Sequence, residues 1–179
     1  MKVIREPEAY RKAMHAYRSD GKTVGFVPTM GALHAGHRSL LERAVGENDI
    51  VAASIFVNPT QFDDSDDLIS YPRSWERDLA MLEAAGTAVL FAPEGGDIYP
   101  DGYRYTVTER DLSARYCGAH RKGHFDGVLT VVMKLLQLTG SCRAYFGEKD
   151  WQQLLLVRDM CRAFFLDTDI VPCPTVREP

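Results

Sequence analysis

Apolar positions along the chain follow two alternating rhythms. One is the spacing of an amphipathic helix and the other a short run apolar at every position. Pro7 to Arg18 puts Tyr10, Met14 and Tyr17 on one helical face, with Pro7 near the start and Gly21 just past the end. Thr23-Val24-Gly25-Phe26-Val27 predicts a short buried strand, and Gly36 to Val45 a helix with Leu40, Leu41, Ala44 and Val45 as its stripe. Ile50 to Val57, apolar on both faces, predicts a second strand. Ser74 is placed to cap a helix that runs to Ala85 and stops at Gly86, and Ala88-Val89-Leu90-Phe91 predicts a third strand. Tyr103 to Val107 is expected as a further strand. After the glycine-rich turn from Gly123 to Gly127, Val128, Leu129, Val131, Val132, Leu135 and Leu136 recur at helical spacing. Arg143 to Phe146 predicts another strand, Asp150 caps a helix carrying Leu154, Leu155, Val157 and Met160, and Asp169-Ile170-Val171 predicts the last strand.

Strands apolar on both faces, alternating with amphipathic helices, imply an α/β fold: a Rossmann-like, doubly wound parallel sheet with helices on both faces. The 179 residues suit one such domain, 1–179. Composition adds exclusions. With 45% hydrophobic and 26% charged residues the chain is neither collagen, nor largely disordered, nor a coiled coil. A formal net charge of −4 argues against broad nucleic-acid binding but leaves room for a local basic pocket. The acidic run Asp63-Asp64-Ser65-Asp66-Asp67 reads as a solvated loop. The N-terminus lacks the apolar core of a signal peptide, and no apolar run approaches the roughly 20 residues that span a bilayer. Cys117, Cys142, Cys161 and Cys173 form no CxxC pair and match no zinc spacing, which points to free, mostly buried thiols in a reducing cytoplasm.

Ligands in such folds bind beyond the carboxyl ends of the strands, so the strand-to-helix turns are where chemistry is expected. After the first predicted strand comes Pro28-Thr29-Met30-Gly31-Ala32-Leu33-His34-Ala35-Gly36-His37. A helix N-terminus there offers unpaired N–H groups to phosphate, and Gly31 and Gly36 let backbone approach a ligand. His34 and His37, three apart, share a face and can donate hydrogen bonds to phosphoryl oxygens as charge develops. Two histidines without carboxylates nearby are too few to hold a metal, so none is expected. The second turn, Phe56-Val57-Asn58-Pro59-Thr60-Gln61-Phe62, sets neutral amides at a strand end, where each offers donors and an acceptor. The third, Gly147-Glu148-Lys149-Asp150-Trp151-Gln152-Gln153, offers a close-approach glycine and a mobile cation for phosphates. Asp150 could cap its helix, bind ribose, or both. The segment from Arg115 to Val128, with His120, Arg121 and His124, is locally basic, and a surface or capping role for its histidines stands beside a ligand role. His15 reads as a surface residue.

His34-Ala35-Gly36-His37 resembles the HxGH signature of the nucleotidyltransferase superfamily, which includes the class I aminoacyl-tRNA synthetases. The longer string Pro-Thr-Met-Gly-Ala-Leu-His-x-Gly-His narrows the resemblance to the pantothenate synthetase family, as do the FVNPxQF-like and GxKDxQQ-like turns and the Pro174-Thr175-Val176-Arg177-Glu178 segment. The four motifs stand in the family's order across the chain, with small departures such as Lys122 where proline is common. The resemblance implies ATP-dependent joining of pantoate to β-alanine through a pantoyl adenylate. It implies nucleotide contact from Met30, Gly31, Ala32, Leu33, His34, Ala35, Gly36, His37, Gly147, Glu148, Lys149 and Asp150, with Val176 against the adenine. His37, His34 and Lys149 would act on the phosphates, and Met30, Asn58, Gln61 and Gln153 would hold pantoate and β-alanine. ATP and magnesium, the latter bound mainly through the phosphates, would be the cofactors. A cytoplasmic homodimer without membrane or nucleic-acid partners is implied too, as is a C-terminal domain with a phosphate-clamping Ser-Ser-Arg-Asn-like loop that this sequence does not contain. Two alternatives stay open: another HxGH transferase, or a binding and dimerisation module without useful catalysis.

Overall fold

A computed structural model describes residues 1–177. In chain order its elements are β1 (Lys2–Ile4), α1 (Pro7–Ser19), β2 (Val24–Thr29), α2 (Ala35–Glu47), β3 (Ile50–Ile55), α3 (Ser65–Ser70), α4 (Trp75–Ala84) and β4 (Val89–Phe91). They continue with α5 (Gly95–Ile98), α6 (Cys117–His120), α7 (His124–Thr139), β5 (Cys142–Gly147), α8 (Trp151–Ala163) and β6 (Thr168–Cys173). The strands form one six-stranded sheet in the order β1-β4-β3-β2-β5-β6, and every pairing is parallel. The expected doubly wound architecture is therefore what the chain adopts.

Helices cover both faces because both faces are apolar. On one face Tyr10, Met14, Val128, Leu129, Leu136 and Leu154, from α1, α7 and α8, pack with Phe26, Ala52 and Phe91 of the sheet. On the other, Leu40, Leu41, Ala44 and Leu82, from α2 and α4, pack with Val27, Val51 and Leu90. The helix α7 buries more of its surface than the rest, and Tyr10 donates to or accepts from Thr139 on it at 2.9 Å.

The sheet reverses direction at β2. The chain runs from β2 through β3 to β4 toward one edge, then returns to lay β5 and β6 on the other side. β2 pairs with β5 only at Gly25↔Arg143 and Phe26↔Ala144, so the two strands part toward their carboxyl ends. Pro28, with no N–H to give a ladder, falls in that parted stretch. A crevice at such a switch point is where this architecture binds ligands.

Several expectations need correction. Tyr103 to Val107 is not a strand: Tyr103 has φ +62°, and the Val107 N–H donates to the Thr130 hydroxyl at 2.9 Å instead of a ladder. The acidic run is not all loop, since Asp64 accepts from the Asp66 N–H at 2.9 Å and starts α3. Ser74 and Asp150 occupy the N-cap positions of α4 and α8, but neither side chain caps, because ψ near 54° and 59° turns each away from the extended geometry that capping needs. Leu156, not Leu155, is the buried leucine at the centre of α8. The edge strand β1 was not foreseen; it pairs with β4 across the sequence, Lys2 opposite Val89.

Candidate active site

β2 leaves the sheet at Thr29, whose hydroxyl donates to the Ser54 carbonyl at 2.7 Å and accepts from the Gly31 N–H at 3.1 Å. Gly31 and Ala32 both take positive φ, +84° and +50°, to turn the chain into α2. That turn is held from below. Asp78 of α4, 2% exposed, accepts from the Ala32 N–H at 2.9 Å, the Leu33 N–H at 2.8 Å and the Ser74 hydroxyl at 3.0 Å. A carboxylate does therefore lie near the histidines, contrary to the sequence reading, but three donors occupy it. Its position was readable in one respect: it falls four residues before Leu82 on the apolar stripe of α4.

His34 is the N-cap of α2, and the two imidazoles cap one another's turn. The Gly36 N–H donates to His34 Nδ1 at 3.1 Å, and the His34 N–H donates to His37 Nδ1 at 3.4 Å. Both Nδ1 atoms accept, so in the neutral rings the proton sits on Nε2. The helix N-terminus is thus partly occupied by its own side chains, and the donors the two rings retain are their Nε2–H groups. The ring centroids are 4.1 Å apart. Burial pushes His37 down to about 4; the neighbouring His34 and Lys149 push the same way, and only Asp78 opposes them. His37 is accordingly neutral at pH 7. Lys149, exposed on the 3-10 turn Glu148–Asp150 at the carboxyl end of β5, brings the fixed positive charge.

Beyond β3 the 3-10 turn Pro59–Gln61 carries the amides. Asn58 is 1% exposed and saturated: its Nδ2 donates to Gln61 Oε1 and the Gly127 carbonyl, both at 3.1 Å, while its Oδ1 accepts from the Tyr99 hydroxyl at 2.7 Å and the Thr60 hydroxyl at 3.0 Å. Asn58 therefore stands behind Gln61 and fixes its side chain. Gln61 is half-buried and donates from Nε2 to the Met30 sulfur at 3.0 Å, which leaves one amide hydrogen and one lone pair for a ligand. The backbone of Gln61 is gripped from α7: His124, buried, donates from Nδ1 to the Gln61 carbonyl at 2.7 Å, and Arg121 donates to His124 Nε2 at 3.1 Å. Burial, then Arg121, hold His124 below the ordinary range against the pull of that carbonyl. Gly127 permits this approach, since a Cβ there would lie 2.4 Å from the Thr60 carbonyl.

Gln153 lies half-buried on the first turn of α8, and Val176 is exposed past β6. His15, His120 and Arg115 are exposed. Of the segment from Pro174 to Glu178, Glu178 lies outside the described residues. Sequence reasoning missed Asp78 and Tyr99 and left His124 open. A cleft of about 490 Å³ on the α4 side of the turn, lined by Met30, Gly31, Ala32, Trp75 and Asp78 among others, does not include the histidines. The imidazole pair stands at the start of α2, directly after β2, the strand at which the strand order reverses.

The family model for pantoate-beta-alanine ligase matches residues 2–179. The chain belongs to that family. A pantothenate synthetase of Bdellovibrio bacteriovorus is 53% identical over 98% of this chain and 69% of its own length. Among solved structures, pantoate-beta-alanine ligase from Francisella tularensis, complexed with beta-gamma ATP and β-alanine, superposes with a TM-score of 0.96 at 42% identity, over 100% of this chain and 69% of that one. Pantothenate synthetase from Thermus thermophilus gives a TM-score of 0.91 at 48% identity, over 99% and 63%. The chain spans 69%, 64% and 62% of the first three curated relatives it matches.

Proposed function

We propose that this chain is the ATP- and pantoate-binding domain of a cytoplasmic, homodimeric pantoate–β-alanine ligase. The pantoate carboxylate attacks the α-phosphorus of ATP, pyrophosphate leaves, and the β-alanine amine then attacks the acyl carbon of pantoyl adenylate and expels AMP. The single observation that carries this reading is the pair of imidazoles at the start of α2, beside the switch point, each with Nδ1 accepting a backbone N–H so that Nε2 is the nitrogen left to donate. The match to ligases of this family, one of them complexed with ATP and β-alanine, supports it. No helix among the described residues is long and apolar enough to cross a membrane.

A carboxylate is already ionised at pH 7, so adenylation needs positioning and neutralisation of developing charge rather than a base. His34 and His37 donate from Nε2 to the phosphoryl oxygens. His37, neutral in the free protein, acts through its hydrogen bond, and Lys149 supplies the positive charge. Gln61 and Gln153 hold pantoate over Met30, and Gln61 goes on to orient the amine. Asp150, free of capping, is available to ribose, and Val176 to adenine. Magnesium takes oxygen ligands, whereas this site presents imidazoles and an ammonium group. Among the described residues no group of three His, Cys, Asp or Glu could hold it. The ion fits the phosphates of ATP rather than a cage in the protein.

The test is pyrophosphate release with ATP and pantoate, with and without β-alanine. The expected result is a stoichiometric burst without the amine and sustained turnover with it. Binding of ATP or pantoate without release favours the second reading, a binding module. Binding of neither overturns both.

A further inference from the structure

We propose that Asp78 is a positioning residue: it clamps the Gly31–Leu33 turn and thereby aims His34 and His37. The turn places two consecutive residues at positive φ, and the second, Ala32, has a Cβ that disfavours this region. A turn of this kind persists only where its surroundings over-determine it. The Asp78 carboxylate does so. It accepts the N–H groups of Ala32 and Leu33, one on each oxygen, and the Ser74 hydroxyl one turn back on α4 locks its rotamer. The fit is close on the other side too, since a Cβ at Gly31 would lie 3.1 Å from Asp78 Oδ2 and 3.2 Å from an Ile55 methyl. Leu33 is followed directly by His34, whose own N–H is the donor to His37 Nδ1. A rotation of the turn therefore moves both imidazoles. Asp78 touches no substrate in this scheme and acts through the turn.

The kinetic part of this inference rests on the adenylation reading; the structural part does not. Asp78→Asn keeps the shape but can accept on only one side, so its amide hydrogens face a backbone N–H. Two measurements follow on the intact protein. First, 15N spectra of the imidazoles should show the Nε2–H form at His34 and His37 in the parent chain, and its loss or averaging in Asp78→Asn. Second, pyrophosphate release at saturating ATP should fall about 10- to 100-fold, the range of a lost hydrogen bond to a charged group, with the pantoate KM within about threefold. Adding Ala32→Gly, which adopts positive φ freely, should restore part of the rate, about threefold or more. A role in stability alone would leave the rate of the folded double variant where Asp78→Asn put it. Should Asp78→Asn fail to fold, Ser74→Ala removes one of the three bonds and should give the same split at about three- to tenfold. Unchanged imidazole signals in a folded variant overturn the proposal. If the rings move but the parent releases no pyrophosphate, the adenylation reading falls and the clamp stands.

Discussion

At the scale of single residues, the deciding quantity is the proton count on His37. With its imidazole held near 4, it is neutral across the whole physiological range before any anion binds beside it. Replacing it with alanine should slow adenylation about 100-fold or more, as loss of a preorganised donor to a developing charge does, while ATP affinity changes little. Equal losses in rate and affinity would refute that role, because only interactions stronger in the transition state raise turnover. The same shift has a consequence for stability. Unfolded, the ring titrates near 6.5; folded, near 4. Between those values the unfolded chain binds more protons, so the contribution is complete above about pH 6.5 and is lost as pH falls toward 4. His124, lowered as well, adds in the same direction. Unfolding free energies from urea titrations at pH 7 and pH 4.5 should therefore differ more for the parent than for His37→Gln, by an amount on the order of 2 kcal/mol. Parallel shifts in the two proteins would show that His37 titrates normally.

At the scale of elements, the candidate site stands where α7 and α4 each hold a backbone turn in place. Gly127 tests the first. A methyl there would meet the Thr60 carbonyl at 2.4 Å and the Gln61 N at 2.8 Å, both backbone atoms that cannot swing aside. Gly127→Ala should cost about 1–3 kcal/mol by overpacking and raise the pantoate KM by displacing Gln61, with ATP affinity retained. Thermal unfolding and pantoate titration check the two halves, and an unchanged KM would detach Gln61 from pantoate. These contacts also mark what the sequence could and could not disclose. The stripes Tyr10, Met14 and Leu40, Leu41, Ala44 were legible because helical periodicity is local. The three motif turns were legible because each follows a strand within a few residues. The strand β1 was not, since its reason for being extended is Val89, far along the chain. Tyr103 to Val107 misled because alternation says nothing about whether a ladder is within reach; here Thr130 took the N–H. Asp78 escaped because its partners Ala32 and Leu33 lie 46 and 45 residues away.

At the scale of the whole molecule, two apolar faces and one reversal of strand order explain both the stability and the site. Covering both faces of the sheet consumes the hydrophobic residues and, with them, three thiols. Cys142, Cys161 and Cys173 are buried, and burial pushes the first two up to about 12 and 11 and raises the third. Cys117, at the start of α6, is exposed. A thiol reacts as its thiolate, so the buried three are protected twice, by access and by protonation. A chromogenic disulfide should therefore label one thiol per chain rapidly at pH 8 and all four in denaturant. The three slow thiols should react at the rate at which the sheet opens. If packing on both faces makes the domain one cooperative unit, Cys142 on β5 and Cys161 on α8 should become reactive together. Cys173, at the end of β6 and packed with the α2 face, should join them. Early, separate labelling of Cys173 would instead show that the β6 edge opens by itself, and with it the chain that leads to Val176.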